Sequence, residues 1–138
     1  MPKFKFAAIS DYDNGTLEVF DVFQFRHHVS IKSVGQGPYP ADEVGPGLIY
    51  VSTREATSFT PVDLQTEKAL PAVGLGYQPR STTKHPKRDL ALIAGKDRVL
   101  QSLVNTNTHQ IDVKVGSGSE DKRRDFGGST ACGHPAWL

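Results

Sequence analysis

The stretch from Lys3 to Phe25 constrains the fold most, because Asn14-Gly15 sits between two runs of alternating side chains. Asn-Gly is favoured in two-residue type I′ turns, since both residues tolerate positive φ. Such a loop sets Asp13 opposite Thr16 and Tyr12 opposite Leu17. It then sets Ser10 opposite Val19, Ala8 opposite Asp21, Phe6 opposite Phe23 and Phe4 opposite Phe25. Side chains on a strand alternate between faces, so Phe4, Phe6, Tyr12, Leu17, Val19, Phe23 and Phe25 share one face. Asp21 is the misfit on that face, which predicts a bend or bulge beside Ala8.

A chain of 138 residues is one domain by length and can bury a core without cross-links. Only 37% of it is hydrophobic, and it carries 13 glycines and 9 prolines. That balance favours short strands joined by long connections over packed helices. The net charge of +1 supplies no global field to recruit nucleic acid or a membrane. Cys132 is the single cysteine, so no internal disulfide forms, and a reducing compartment or an assembly that needs no cross-links is expected. Met-Pro-Lys-Phe-Lys has no apolar signal region, so synthesis in the cytoplasm is expected. No apolar run approaches the ~20 residues of a membrane span.

Alternation continues past Phe25 to Ile31, and a break near Arg26-His27 into two strands of different sheets is expected, because strands run to about six residues. Residues 35–47 (GQGPYPADEVGPG) read as a long loop around Tyr39, open to a partner. Residues 48–52 and 62–66 read as strands, with Phe59 between them as a core plug. Residues 69–79 read as an extended connection or bent edge strand. Residues 89–105 fit two strands, 90–94 and 98–104, turned at Gly95-Lys96-Asp97. A helix there would carry Gly95 at a cost of about 1 kcal/mol. Residues 110–115 form the last strand, and residues 116–138 have the composition of an arm, ending in Trp137-Leu138. The expected architecture is all-β: an antiparallel sandwich or jelly-roll-like domain over residues 1–115, opened by the hairpin, with an extended C-terminal arm over 116–138.

Candidate chemistry is sparse. His27 and His28 are adjacent on a strand and point to opposite faces, so they do not ligate one metal and read as structural. Residues 80–88 (RSTTKHPKR) gather Arg80, Lys84, Lys87 and Arg88 around His85 with no acid. This loop can grip phosphates or meet an acidic neighbouring subunit, but it lacks aromatics for base stacking. A metal-independent nuclease needs a base, an acid and a phosphate-binding cation. His27, His28, His85, His109, Lys84 and Arg88 supply those types with no spacing that brings them together. Motifs for serine or zinc hydrolases and for nucleotide binding are absent.

The expected function is therefore non-enzymatic: a structural or assembly subunit, such as a virus or phage capsid, capsid-decorating or tail component. Trp137 and Leu138 at the arm's tip, with Tyr39, Arg80, Lys84, Lys87 and Arg88, are the expected partner-binding residues. No catalytic or metal-ligating residue and no cofactor are expected. The expected partners are other protein subunits, in a homo-oligomer or a hetero-assembly with a larger shell, and neither nucleic acid nor membrane. The alternative is a small metal-independent nuclease or RNA-binding domain using His27, His28, His85 and residues 80–88.

Overall fold

A computed structural model describes residues 5–97 and 99–115. Phe4, Cys132 and the expected arm, with Trp137 and Leu138, lie outside the described residues. The chain runs through β1 (Phe6–Asp11), β2 (Thr16–Asp21), β3 (Arg26–Ile31), β4 (Pro38–Gly45), β5 (Leu48–Thr53) and β6 (Ser58–Asp63). It continues through β7 (Lys68–Ala69), β8 (Val73–Gly74), β9 (Pro79–Lys84), β10 (Leu90–Gly95), β11 (Gln101–Asn105) and β12 (Ile111–Val115). These form three antiparallel sheets, each wound from consecutive strands: β1-β2-β3, then β4-β5-β6-β7 with β8 also on β6, then β9-β10-β11-β12. No helix occurs among the described residues, so the all-β, antiparallel expectation holds.

One turn recurs along the chain. Four residues join β1 to β2, β2 to β3, β5 to β6 and β6 to β7. The last of the four has positive φ each time: Gly15 at 68°, Phe25 at 55°, Thr57 at 49° and Glu67 at 58°. The turn into β12 has His109 in the same conformation, at 62°. At four of these five turns a short polar side chain ends the preceding strand and caps the turn; before the turn at 54–57, Thr53 Oγ1 instead meets Ser58 across the strand pair. Asp11 accepts from the Asn14 N–H at 3.1 Å, Asp21 from Phe23 at 2.8 Å and Gln24 at 3.1 Å, and Asp63 from Gln65 at 2.8 Å. Asn105 accepts from Asn107 at 2.8 Å and Thr108 at 3.2 Å. These are Asx turns, in which the carboxylate or amide replaces a backbone acceptor.

This turn corrects the hairpin register. Asn14-Gly15 is the second half of a four-residue loop, so Asp11 pairs with Thr16, Ser10 with Leu17, Ala8 with Val19 and Phe6 with Asp21. The shift is by two residues and leaves the parity intact, so Phe6, Ala8, Leu17 and Val19 still face the core. Phe6 and Phe23 are not partners. Phe23 and Phe25 lie in the next turn, 60% and 89% exposed. Asp21, expected to mark a bend, caps that turn, and a register shift follows between Val19 and Phe20 against β3. The break after β2 comes at this turn, and β3 stays in the same sheet rather than entering another.

The sheets pack face to face in sequence. Between the first and second lie Leu17, Val19, Ile31 and Val34 against Ile49, Val51, Val62 and Leu64. Between the second and third lie Val44, Tyr50, Phe59, Leu75 and Tyr77 against Ala91, Ile93 and Val104. The second sheet is buried on both faces, as the run Ile49–Thr53 shows. Phe59 is fully buried, as expected of a core plug.

Two segments expected as loops are strands. Residues 38–45 form β4, and its prolines are tolerated because β4 is the edge of its sheet. Residues 79–84 form β9, likewise an edge strand opening on a proline. The strand expected at 62–66 begins earlier, at Ser58, and ends at Asp63, where the turn cap sits. The two strands expected in 89–105 are β10 and β11.

Candidate cationic cleft at the mouth of the second and third sheets

The second and third sheets open in the same way. Pro38 begins β4 opposite Thr53, the last residue of β5, and Pro79 begins β9 opposite Gly95, the last residue of β10. The residue after each inner strand pair turns back to the residue before each proline. The Arg54 N–H donates to the Gly37 carbonyl at 2.9 Å, and the Lys96 N–H donates to the Gln78 carbonyl at 2.8 Å. This latch sets Tyr39 and Arg80, each one residue past its proline, beside Arg54 and Lys96, each the first residue of its turn.

Those four side chains line one open cleft of about 450 Å³. The Arg54 guanidinium lies over the Tyr39 ring at 5.3 Å, a cation–π contact that holds it across the cleft. Tyr39 is 61% exposed. Arg80 and Lys96 are also exposed, and no carboxylate among the described residues pairs with any of the three cations. The neighbouring acid, Glu55, accepts instead from the Tyr12 hydroxyl at 3.2 Å. Desolvation, more than that carboxylate, pushes the Tyr12 hydroxyl up. Gly37 is needed at the rim. Its φ is 65°, and a Cβ there would sit 2.9 Å from Glu55 Cγ. Three positive groups facing one concavity, with an aromatic wall, are chemically suited to a carboxylate or another oxyanion.

Of the expected partner-binding residues, the fold brings Tyr39 and Arg80 together here. Lys84, Lys87 and Arg88 are elsewhere, near the turn that joins β9 to β10. Lys84 Nζ donates to the His85 carbonyl at 2.8 Å and to the Arg88 carbonyl, while the Lys87 and Arg88 N–H groups donate to His85 Nδ1 at 3.0 Å each. The loop is thus closed on itself. Burial lowers the His85 pKa, and Arg88, Lys84 and Lys87 add to the effect. Arg54 and Lys96 were not expected from sequence. Their signal is their position: each is the first residue past an inner strand, a place visible only once the repeat is aligned.

The histidines do not converge. His27 Nε2 meets Glu18 Oε1 at 2.8 Å, within a polar group that includes Ser30 and Thr16. Hydrogen bonds from Ser30 and Thr16 hold the Glu18 carboxyl below the usual range. His28 meets Glu67 across to the second sheet, and His109 meets Tyr50. No group of three or more His, Cys, Asp or Glu among the described residues is arranged to hold a metal.

No protein-family model and no curated protein sequence matches the chain. Solved structures do. Over 83% of its length the chain is similar to Kuenenia stuttgartiensis hydrazine synthase, with a TM-score of 0.73 and 16% identity, spanning 33% of that chain. Over 85% it is similar to the dihydro-heme d1 dehydrogenase NirN in complex with DHE, with a TM-score of 0.66 and 17% identity, spanning 28% of that chain. Over 82% it is similar to Kluyveromyces lactis Hsv2, with a TM-score of 0.57 and 10% identity, spanning 34% of that chain. The chain thus spans about a third of the chains it resembles. All three are β-propeller-like, and at these identities the likeness concerns the fold alone: successive antiparallel meanders stacked as blades are.

Proposed function

We propose that this protein is a non-enzymatic assembly module, and that its cleft at Tyr39, Arg54, Arg80 and Lys96 seats an acidic segment of a protein partner. The observation that carries this reading is the convergence of three cations on one cleft, none of them paired with a carboxylate among the described residues. A protein carboxylate suits it better than a nucleic-acid backbone, because the cations form one pocket rather than a track and the net charge is only +1. His27, His28 and His109 sit in separate polar contacts, so no one cluster of histidines favours the nuclease alternative. Nothing in the three sheets is specific to a viral shell, so the proposal stops at assembly through protein contacts.

Titration with an Asp/Glu-rich peptide tests it. Binding should weaken with added salt, and Arg54→Ala, Arg80→Ala and Lys96→Ala should each reduce it. An RNA oligonucleotide bound more tightly than the peptide, or cleaved, would contradict the proposal.

A further inference from the structure

The outer strand of the second sheet is interrupted where it faces the turn into β12. Val62 pairs with Ala69 and Phe59 with Val73, so Leu70, Pro71 and Ala72 stand opposite only Thr60 and Pro61. The extra residue makes a β-bulge, and Pro71 is tolerated in it because β7 and β8 lie at the outer side of the sheet. The bulge is fastened at both ends. The Leu70 N–H donates to the Pro61 carbonyl at 2.8 Å, and the Leu75 N–H donates to the Thr57 carbonyl at 2.9 Å.

The bulge and the turn into β12 border a groove of about 410 Å³. Leu70, Val73 and Ile111 line it, each half-buried, so each keeps apolar surface turned to the opening. Pro71, Ala72, Thr108 and Gln110 form an exposed rim. None of these residues is charged, in contrast to the cleft with Arg54, Arg80 and Lys96. The two places are also apart. Lys96 belongs to the turn before β11 and His109 to the turn after it, so cleft and groove lie at opposite ends of that strand.

His109, which also lines the groove, gives it one fixed donor. Its backbone is set by the positive φ of 62° and by its N–H, which donates to the Asn105 carbonyl at 2.7 Å. Burial lowers its pKa, so at neutral pH the ring is uncharged. The Tyr50 hydroxyl keeps its proton and donates it to Nδ1 at 2.7 Å. A neutral imidazole that accepts at Nδ1 carries its own proton on Nε2. Among the described residues, nothing accepts from that Nε2–H. Apolar walls with one oriented donor are the combination by which binding sites join burial to orientation.

We propose that this groove is a second docking site, and that it takes a neutral, aliphatic segment of a protein partner. One leucine-type side chain of the partner lies against Val73 and Ile111, and the main-chain carbonyl beside it accepts from His109 Nε2–H. The open rim leaves the rest of the partner's main chain outside. An acidic segment or a phosphate would meet no cation among the described lining residues, whereas an aliphatic side chain meets three apolar neighbours. The site rests on the bulge and on the His109 tautomer, not on the cleft.

NMR on the full chain tests the proposal, with acetyl-leucyl-leucine amide as probe and acetyl-seryl-serine amide, which has the same main chain, as control. The leucine probe should shift the methyl signals of Val73 and Ile111 and the His109 Nε2 signal saturably, and the serine control should not. Ala72→Glu sets a charge at the exposed rim without removing a core side chain. It should abolish those shifts and leave the melting temperature unchanged. If it lowers the melting temperature, the contrast between the two probes on the unaltered chain decides. Without any probe, nitrogen-15 shifts should place the proton of the neutral His109 ring on Nε2. A proton on Nδ1 would overturn the proposal, as would no response to the leucine probe, an equal response to both probes, or shifts confined to other residues. Shifts that survive in a folded Ala72→Glu chain would overturn it too. Binding of an Asp/Glu-rich peptide at the cleft can succeed or fail independently of these results.

Discussion

The Tyr50 hydroxyl and His109 Nδ1 meet at 2.7 Å across the interface between the second and third sheets. Tyr50 is fully buried, which pushes its pKa far up, so the hydroxyl keeps its proton and donates. Burial also lowers the His109 pKa below its ordinary value of 6.5, so the ring is neutral and accepts. An edge-on ring contact at 5.6 Å completes the pair. The positive-φ residue of one turn is thus tied to an interior strand of the neighbouring sheet.

This relationship predicts a pH dependence. The unfolded chain protonates His109 at the ordinary value near 6.5, and the folded chain only at lower pH. The stability this provides is full above 6.5 and is lost as pH falls through the folded value. Denaturant midpoints should therefore decline between pH 7.5 and 5. His109→Asn, which tolerates the positive φ, should flatten that decline. An unchanged slope in the variant would show that His109 is not the group responsible.

Asp42 predicts the opposite sign. Its carboxyl lies in β4 beside β9, where burial raises its pKa against one backbone hydrogen bond from Thr82. Asp42 Oδ2 has no hydrogen-bond partner among the described residues. Here the folded chain holds the proton to higher pH than the unfolded chain. The contribution is full below the ordinary carboxylate value and is lost as pH rises through the folded one. Asp42→Asn should raise the melting temperature at pH 7 and have a smaller effect at pH 3. A lower melting temperature at pH 7 would contradict this reading.

Gly95 is required by its neighbours rather than by its φ. A Cβ there would lie 2.7 Å from Tyr77 Cδ2 and 3.1 Å from the Leu100 carbonyl oxygen. The Tyr77 ring cannot easily yield, because its hydroxyl donates to the Ile93 carbonyl at 2.8 Å and meets Ser102 Oγ at 2.7 Å. Burial pushes the Tyr77 pKa up to about 12, so that proton stays in place. Gly95→Ala should destabilise by about 1–3 kcal/mol, as overpacking does. Urea unfolding measures it, and a loss below about 0.5 kcal/mol would mean that the ring moves.

The corrected hairpin separates two aromatic-rich readings. Phe23→Ala should cost less than about 0.5 kcal/mol, because Phe23 is in a turn and 60% exposed. Leu17→Ala, at a fully buried position of the same hairpin, should cost about 2–5 kcal/mol. Equal costs would restore Phe23 to the core.

The fold class was legible because alternation alone selects strands, and parity survives a two-residue error in register. Asn14-Gly15 was a true turn signal, but it did not reveal the loop length. The deciding residue was Asp11, whose carboxylate caps a four-residue turn, and the same role explains Asp21. Strands β4 and β9 were missed for one reason: prolines were read as breakers, although both strands lie at sheet edges, where a missing N–H costs no ladder bond. Tyr39 and Arg80 were legible as exposed side chains. Their convergence with Arg54 and Lys96 was not, because it depends on how two sheets are juxtaposed.

The cleft is the central claim, and a matched pair of charge removals tests it most directly. One variant carries Arg54→Ala, Arg80→Ala and Lys96→Ala, and the other carries Lys84→Ala, Lys87→Ala and Arg88→Ala. Both lose three positive charges, so long-range attraction falls equally. Isothermal titration with an Asp/Glu-rich peptide should show affinity lost in the first variant and largely kept in the second. Equal loss in the two, or binding that survives only in the first, would contradict a site at Tyr39, Arg54, Arg80 and Lys96.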